Sequence, residues 1–355
     1  FAALLAGREL GICNEAAMAE MMGDVRNRMV RYMVWFIVLS SLGIELAGAA
    51  VLAWGFWLDG MDLLASLYYG LFHSVSAFCN AGFALFSDNL MSYARKPLFP
   101  LAVSALIAAG GLGFSVLYTL LFRHSRRRGA PLPAHVRLVL RGSALLWLGG
   151  AATLWLAERH GAFAGMTWRD SLVNAWFQSV TARTAGFSTV DTAVLSPMSD
   201  TLLRVLMFVG AGPGSTAGGI KVTTAAVLVL LVVARLKGRR HVVVLGRRLD
   251  DDTTIDAVVI AVLGLGAVLG ASALLVATQS LSPTLTPGML RFEAISAFGT
   301  VGLSQGATPH LNAIGKLIIT GLMFVGRVGP LTLLVMMRPR RRSAVDYPVA
   351  RVMVG

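Results

Sequence analysis

One short pattern occurs three times in this chain, and it constrains the fold more than any other feature of the sequence. The pattern starts with an aromatic residue and ends with Gly followed by an apolar residue, at residues 72–83, 177–187 and 292–303. Glycine adopts positive φ at little cost and leaves the backbone carbonyls free of side-chain obstruction. Because each copy lies between long apolar segments, the sequence predicts repeated units, each built around one copy of the pattern.

The apolar segments between the copies indicate a membrane protein. Of the 355 residues, 56% are hydrophobic and the mean hydropathy is +0.70, and several runs reach the ~20 residues needed to cross a bilayer. Most of the 31 Lys and Arg residues lie in the connectors between the apolar runs, which predicts that the connectors are cytoplasmic and the three motifs open to the outside. We therefore attribute the net charge of +13 to membrane topology and expect the lipid bilayer, not nucleic acid, as a partner.

These segments predict an all-α polytopic membrane protein made of repeated span–pore-loop–span units. Three units are expected, at 29–122, 139–235 and 255–337. The spans within them are expected at 29–58, 97–122, 139–157, from about 200 to 234 with an interruption, 255–278 and 312–337. The remaining segments are the end of a possible upstream unit with its connector (1–28), two basic cytoplasmic linkers (123–138 and 236–254) and a basic C-terminal tail (338–355).

The end of each copy is typical of an ion selectivity filter that follows a short pore helix. A filter replaces the hydration shell of an ion with backbone carbonyls placed around an axis. The third copy contains T-V-G (residues 300–302), which is similar to the T-V-G of potassium-channel filters. The alternative is a set of re-entrant turns with no role in ion binding. The candidate filter residues, whose carbonyls would hold potassium, are Asn80, Ala81, Gly82, Thr184, Ala185, Gly186, Thr300, Val301 and Gly302.

A second candidate site interrupts the last helix of the middle unit, at residues 210–221. Irregular backbone at membrane depth is tolerated where it lines a cavity or is buried in protein, so we expect a gate, with a packed kink as the alternative. The corresponding helices of the other two units are expected to be continuous. Two cations at membrane depth are costly and suggest a role, although either side chain could instead reach the cytoplasmic interface. The candidate gate residues are Gly212, Pro213, Gly214, Ser215, Thr216, Ala217, Gly218, Gly219, Lys221 and Arg327.

For several other polar or small residues near the motifs we expect a structural role. Arg183 is expected to lie behind the filter, paired with an acid such as Asp191, because a guanidinium in the pore would repel cations. His73 and Cys79 are expected to be packing residues rather than ligands. The small residues at 108–113 favour close helix packing, with a hinge as the alternative.

Taken together, the motifs resemble the membrane subunit of the Ktr/Trk superfamily of bacterial potassium transporters, most closely the Ktr type. The resemblance implies potassium uptake across the bacterial plasma (inner) membrane, often stimulated by sodium, with the intramembrane loop as the gate. It also implies four units around one pore, usually in a homodimer on a cytoplasmic nucleotide-binding ring, and no organic cofactor on this chain. The motifs that carry it are S-A-F-C-N-A-G-F (76–83), T-A-R-T-A-G-F (181–187), P-G-S-T-A-G-G-I-K (213–221), S-A-F-G-T-V-G-L (296–303) and G-R-V-G-P-L-T (326–332).

The chain departs from that family pattern in one respect. Only three units match, and they are similar to the second, third and fourth of the family, so we expect that the sequence is truncated at its N-terminus. The alternative is a non-conducting scaffold protein of the same fold. An intramembrane enzyme is disfavoured, because no His/Asp/Glu cluster or Ser–Lys pair converges in the spans.

Overall fold

The computed structural model describes residues 27–122, 132–239, 241–280 and 285–329, with side chains from residue 31 onward. The predictions for the N-terminal segment 1–26, for the basic residues at 123–131 and at Arg240, and for everything after residue 329 lie outside the described residues.

The described chain is mostly helical, with one short hairpin. The hairpin consists of the antiparallel strands β1 (Val243–Val244) and β2 (Arg247–Arg248). Single 3₁₀ turns occur at Met91–Tyr93, Thr192–Val194 and Thr308–His310. The helices are α1 (Asn27–Leu58), α2 (Leu63–Phe78), α3 (Leu98–Leu112), α4 (Phe114–Leu121), α5 (Ala134–Glu158), α6 (Trp168–Thr181), α7 (Pro197–Phe208), α8 (Val222–Leu236), α9 (Asp251–Thr278), α10 (Pro287–Gly299) and α11 (Ala313–Val328).

Among the described residues, three helices are long and apolar enough to cross a membrane. They are α1, α5 and α9, whose most apolar windows have mean hydropathies of 2.0, 1.3 and 2.5. A helix satisfies its own backbone hydrogen bonds, which a lipid environment requires. Large apolar side chains such as Trp54, Leu148 and Val262 are more than half exposed on these helices, as expected for surfaces that face lipid. The protein is therefore a multi-pass membrane protein.

Two of these helices begin earlier than the sequence predicted. α5 begins at Ala134 instead of 139, and α9 begins at Asp251 instead of 255. Pro133 lies just before α5, where its fixed φ suits a helix start, and acidic residues in the first turn of α9 stabilise its positive end. The ends of the two predicted basic linkers are therefore helical.

The prediction that only the middle unit has an interrupted second helix was wrong. α3 and α4 meet at an angle of 103°, at Gly113, which has φ 92° and ψ 145°. A Cβ at Gly113 would overlap the carbonyl oxygen of Pro213, and Phe114 N donates to Gly214 O at 3.1 Å. The bend at Gly113 therefore accommodates the irregular segment 210–221, which packs into it.

The described part of the last helix ends at Val328, and its predicted continuation to 337 lies outside the described residues. Gly329 follows it with φ 90° and ψ 136°, nearly the same backbone conformation as Gly113. Gly110 lies three residues before Gly113, and Gly326 lies three residues before Gly329, so these two glycines also occupy matching positions. A Cβ at Gly110 would overlap Phe78 O, and a Cβ at Gly326 would overlap Phe298 O. The small residues therefore serve close helix packing and the bend at the same time.

Three short helices, α2, α6 and α10, lie inside the bundle. Each starts with a side-chain cap: Asp62 accepts from Leu64 N, Thr167 from Asp170 N and Thr286 from Met289 N, at 3.1, 3.2 and 3.3 Å. The hydrophobic core is built around them, with α2 against α1 and α3, α6 against α5, and α10 against α9 and α11. The core thus fixes the positions of all three C-terminal ends, where the candidate filter residues follow.

Candidate functional site

The three candidate filter segments, 80–82, 184–186 and 300–302, share one backbone conformation. Each begins with a residue at positive φ, namely 51° at Asn80, 83° at Thr184 and 51° at Thr300. Each ends with a glycine at positive φ, with 72°, 85° and 94° in chain order. Positive φ is uncommon for non-glycine residues and costs of order 1–3 kcal/mol. The tertiary structure therefore imposes the same strained turn at all three places.

A hydroxyl on each short helix holds the turn. Ser76 Oγ donates to Phe83 O at 2.8 Å, and Thr181 Oγ1 donates to Phe187 O at 2.7 Å. In the third copy, Gly302 N donates to Ser296 Oγ at 3.2 Å. These hydroxyls occupy equivalent positions in the three copies. The second copy is one residue shorter than the others, and the missing residue lies between Thr181 and Thr184.

The segments lie next to one another in chain order. A Cβ at Gly82 would overlap Ala185 O of the second segment, and a Cβ at Gly186 would overlap Val301 O of the third. Among the described residues, a Cβ at Gly302 would meet only Gly186 Cα, at 3.7 Å. Side chains at the first two glycines are therefore excluded by the next carbonyl, while the far side of Gly302 is open.

Two buried oxygens at the start of the filter segments have no hydrogen-bond partner among the described residues. They are Asn80 Oδ1 and Thr184 Oγ1, on side chains that are 5% and 0% exposed. An unpaired buried polar group costs about 1–3 kcal/mol unless water or an ion satisfies it. Amide and hydroxyl oxygens are hard donors of the kind that alkali cations prefer. In the described part of the chain, no three His, Cys, Asp or Glu side chains are grouped as metal ligands.

The segment 210–221 forms a closed loop between α7 and α8. Val209 and Ile220 pair in parallel at its base, where Gly210 N donates to Ile220 O at 2.8 Å. Backbone groups of neighbouring elements satisfy the loop: Gly212 N donates to Gly111 O at 2.8 Å, and Gly219 N donates to Gly326 O at 3.3 Å. The irregular backbone is thus held between the α3–α4 bend and the end of α11.

Thr216, at the tip of this loop, touches the first filter segment. Its Oγ1 accepts from Asn80 Nδ2 at 2.8 Å and donates to Phe78 O, the end of α2, at 3.1 Å. On the other side of the loop, a Cβ at Gly218 would overlap Thr300 Oγ1. The loop therefore packs directly against the inner ends of the first and third filter segments.

The two cations assigned to this region both bind loop carbonyls. Lys221 Nζ donates to Ala217 O at 2.7 Å, and Arg327 Nη1 donates to Thr216 O. Arg327 belongs to α11, so its contact joins the loop to the last helix. Both charges are thus used to hold the loop, although the Arg327 side chain stays exposed.

The predicted pairing of Arg183 with Asp191 was wrong. Arg183 is 2% exposed and donates from Nη2 to Gly210 O at 2.8 Å, and its guanidinium lies 5.4 Å from the ring centroid of Trp147. The Asp191 carboxylate instead accepts from Ala193 N at 2.9 Å, in a local turn. Arg183 therefore links the second filter segment to the base of the loop, a contact that no local sequence pattern indicates.

Sequence reasoning also missed a polar position on the short helices. His73 was assigned to packing, and Gln178 and Glu293 were not singled out, yet all three follow the aromatic residue that opens each copy of the pattern. Each is buried and contacts the chain just beyond a filter glycine. The signal was present in the alignment of the copies, as a polar residue of changing type at one constant position.

Comparison with known proteins identifies relatives along almost the whole chain. The model of the TrkH family, described as cation transport protein, matches residues 10–344. The Ktr system potassium uptake protein B of Vibrio alginolyticus is 37% identical over 351 residues, which cover 98% of this chain and 76% of that protein. The potassium/sodium uptake protein NtpJ of Enterococcus hirae is 34% identical, covering 97% of this chain and 75% of that protein.

The fold has a relative among solved structures. The potassium transporter TrkH of Vibrio parahaemolyticus matches with a TM-score of 0.73 over 91% of this chain and 68% of that chain. The sequences are 21% identical in this comparison, so the likeness establishes the fold.

Proposed function

This chain belongs to the TrkH family of cation transport proteins, and from that premise we propose that it moves potassium ions through a selectivity filter gated by loop 210–221. The chain is a multi-pass protein of the bacterial inner membrane, and its family transports cations. Potassium is the cargo that the names of the relatives support. The geometry of the three filter segments and of loop 210–221 supports the filter and the gate.

The assignment of the filter rests on one observation, the turn that the three segments share. Three non-identical sequences hold a non-glycine residue and a glycine at positive φ, and they lie next to one another in chain order. Backbone in that conformation directs successive carbonyls toward the space between the segments, where they replace water around an ion. The unpaired oxygens of Asn80 and Thr184 add to the ion's inner coordination.

The short helices support cation binding at the same place. The C-terminal ends of α2, α6 and α10 meet the filter segments, and the helix macrodipole makes those ends negative. Three such ends stabilise a cation on the inner side of the filter. A potassium ion entering from outside therefore passes from carbonyls to a region of favourable potential.

The gate is supported by the position of the loop. Thr216 and Gly218 lie against the inner ends of the first and third filter segments, so the loop blocks the exit from the filter in this conformation. Its glycines permit a second backbone arrangement at low cost. We infer that withdrawal of the loop opens the path, and that Lys221 and Arg327 stabilise the closed state through carbonyl contacts.

A closed pore requires a fourth filter segment beside these three. The far side of Gly302 is open among the described residues, and an apolar hollow of about 380 Å³ lies against α2 next to Ala81 and Phe83. We propose that a fourth filter segment, from outside the described residues, occupies this side. The competing proposal is a non-conducting scaffold protein, and the same open side is the observation that favours it.

Three further features remain proposals. Sodium stimulation is supported by the name of the Enterococcus hirae relative, a potassium/sodium uptake protein. A cytoplasmic nucleotide-binding ring and a homodimer follow from the family resemblance and the basic connectors. Copurification with such a ring, and the mass of the purified complex in detergent, test both.

The deciding experiment is growth rescue of potassium-uptake-deficient bacteria at low potassium, followed by flux in vesicles. We expect the intact protein to rescue growth and Gly302→Ser to lower the preference for potassium over sodium, because a side chain is strained at φ 94°. The control is Gly165→Ser, which has similar strain at φ 80° and open space, but lies outside the filter. Equal ion preference in both variants would remove Gly302 from the pore, and absence of any flux would favour the scaffold.

A further inference from the structure

One position on the short helices carries a polar side chain in all three copies. The side chains are His73 on α2, Gln178 on α6 and Glu293 on α10, with exposed fractions of 1%, 1% and 6%. Each precedes its filter glycine by nearly the same number of residues, with the second copy one residue shorter. Burial of three different polar groups at one register position is costly unless each has a partner.

Each side chain has its partner just beyond the filter glycine. His73 Nδ1 lies 2.7 Å from Tyr69 O and therefore carries the proton, which leaves Nε2 to accept from Leu85 N at 3.3 Å. Gln178 Nε2 donates to Ser188 Oγ at 2.9 Å. The chemistry differs in the two copies, but in both the short helix is bonded to the outer end of its filter segment.

The third copy has the strongest attachment. Glu293 accepts from Ser304 Oγ through one carboxylate oxygen and from Thr308 Oγ1, at 3.0 Å, through the other. Two hydroxyls thus hydrogen-bond to this one side chain, whereas His73 and Gln178 each have a single partner beyond the filter glycine. The turn after Gly302 is therefore attached to α10 at two residues, Ser304 and Thr308, by the single side chain of Glu293.

The same contacts connect neighbouring copies. Ser188 O accepts from Leu90 N at 3.0 Å, and Ser188 N donates to Asn89 Oδ1 at 3.1 Å, both from the first copy. Ser304 O accepts from Thr192 Oγ1 of the second copy. The outer ends of the filter segments thus form a hydrogen-bonded collar, in which Ser188 and Ser304 are also bonded to residues of the preceding unit.

We propose that His73, Gln178 and Glu293 are positioning residues for ion selectivity, which hold the outer end of each filter segment at a fixed distance from the pore axis. The proposal rests on the filter proposed above. A functional site requires its ligands within about 0.5 Å of the productive geometry, and hydrogen bonds behind them supply that restraint. Loss of one restraint lets the carbonyls approach the smaller sodium ion, so selectivity falls before transport does.

The test compares Gln178→Met and Glu293→Met with the parent protein in reconstituted vesicles. Methionine keeps most of the volume and removes the hydrogen bonds. We expect potassium-over-sodium selectivity to fall about threefold to tenfold, the effect of one lost hydrogen bond, while potassium flux persists. Glu293→Gln should retain the parent's selectivity, because an amide can accept from Ser304 and donate to Thr308.

The matched control is Asn174→Leu. Asn174 is fully buried on α6, one turn before Gln178, and its Nδ2 donates to Ala94 O at 2.7 Å and to Asp170 O at 2.8 Å, away from the filter. It should lower the yield of folded protein and leave selectivity unchanged. An equal loss of selectivity in Asn174→Leu, or unchanged selectivity in folded Met variants, overturns the positioning role. Gly302→Ser, measured in parallel, separates this failure from failure of the filter itself.

Discussion

Replacement of Thr216 by Val tests the proposed gate most directly. Valine keeps the β-branched shape of threonine and removes the hydroxyl that accepts from Asn80 Nδ2 at 2.8 Å and donates to Phe78 O at 3.1 Å. Two hydrogen bonds of about 1 kcal/mol each are lost from the closed conformation, so its free energy rises by about 2 kcal/mol. In the withdrawn conformation Asn80 faces water, and the substitution costs little there.

A change of about 2 kcal/mol shifts the ratio of withdrawn to closed loop by about 30-fold. The measurement is potassium flux into vesicles that contain the intact protein without its activating partner, where the closed loop limits the rate. We expect basal flux to rise by up to that factor.

A matched control is Thr320→Val. Thr320 Oγ1 donates to Lys316 O at 2.8 Å within α11, so this variant also loses a hydroxyl hydrogen bond but leaves the loop untouched. Its basal flux should equal that of the parent. If folded Thr216→Val conducts no faster than Thr320→Val, the contact between loop and filter is only packing, and the gating argument is refuted.

Three further predictions address the loop and the topology. Deletion of 212–218 should raise basal flux and weaken control by a cytoplasmic partner, as measured in vesicles; a folded deletion variant with parental flux would make the loop a structural kink. Arg327→Gln should raise basal flux by about tenfold, because a charge-assisted bond to Thr216 O is replaced by a weaker one; unchanged flux would assign that charge to the cytoplasmic interface. In a protein without native cysteines, Lys237→Cys should react only with membrane-permeant reagents and Arg159→Cys with impermeant ones; the reverse result would invert the predicted orientation.

The contacts of the loop suggest how gate and filter influence each other. Asn80 belongs to the first filter segment and bonds to Thr216, while Arg183 directly precedes the second segment and bonds to Gly210 O. Movement of the loop must break or transfer both bonds. A coupling of this kind is reciprocal, so occupancy of the filter should bias the loop, and the loop should bias ion affinity.

The sequence by itself determined the features that depend on local backbone preference and periodicity. Glycine, which adopts positive φ at little cost, recurs at one register of the pattern, and Gly82, Gly186 and Gly302 all have positive φ. The run of Gly, Pro, Ser and Thr at 210–221 predicted a segment without helix, and α7 and α8 indeed end and begin on either side of it. Long apolar runs predicted α1, α5 and α9, since about 20 apolar residues suffice to identify a span.

Only the tertiary structure decided which groups meet across the chain. Gly113 bends α3 against α4 because Pro213, a hundred residues later, occupies the space that a straight helix would need. Arg183 has an acid nearby in sequence but bonds to a loop carbonyl, since a buried guanidinium takes whichever acceptor the packing places within reach. The role of the buried polar side chains on α2, α6 and α10 likewise depends on the outer ends of the filter segments, which only the tertiary structure brings beside them. Local patterns report the torsion angles that a segment prefers, whereas the partner of a buried polar group depends on how distant segments pack, which no short stretch of sequence encodes.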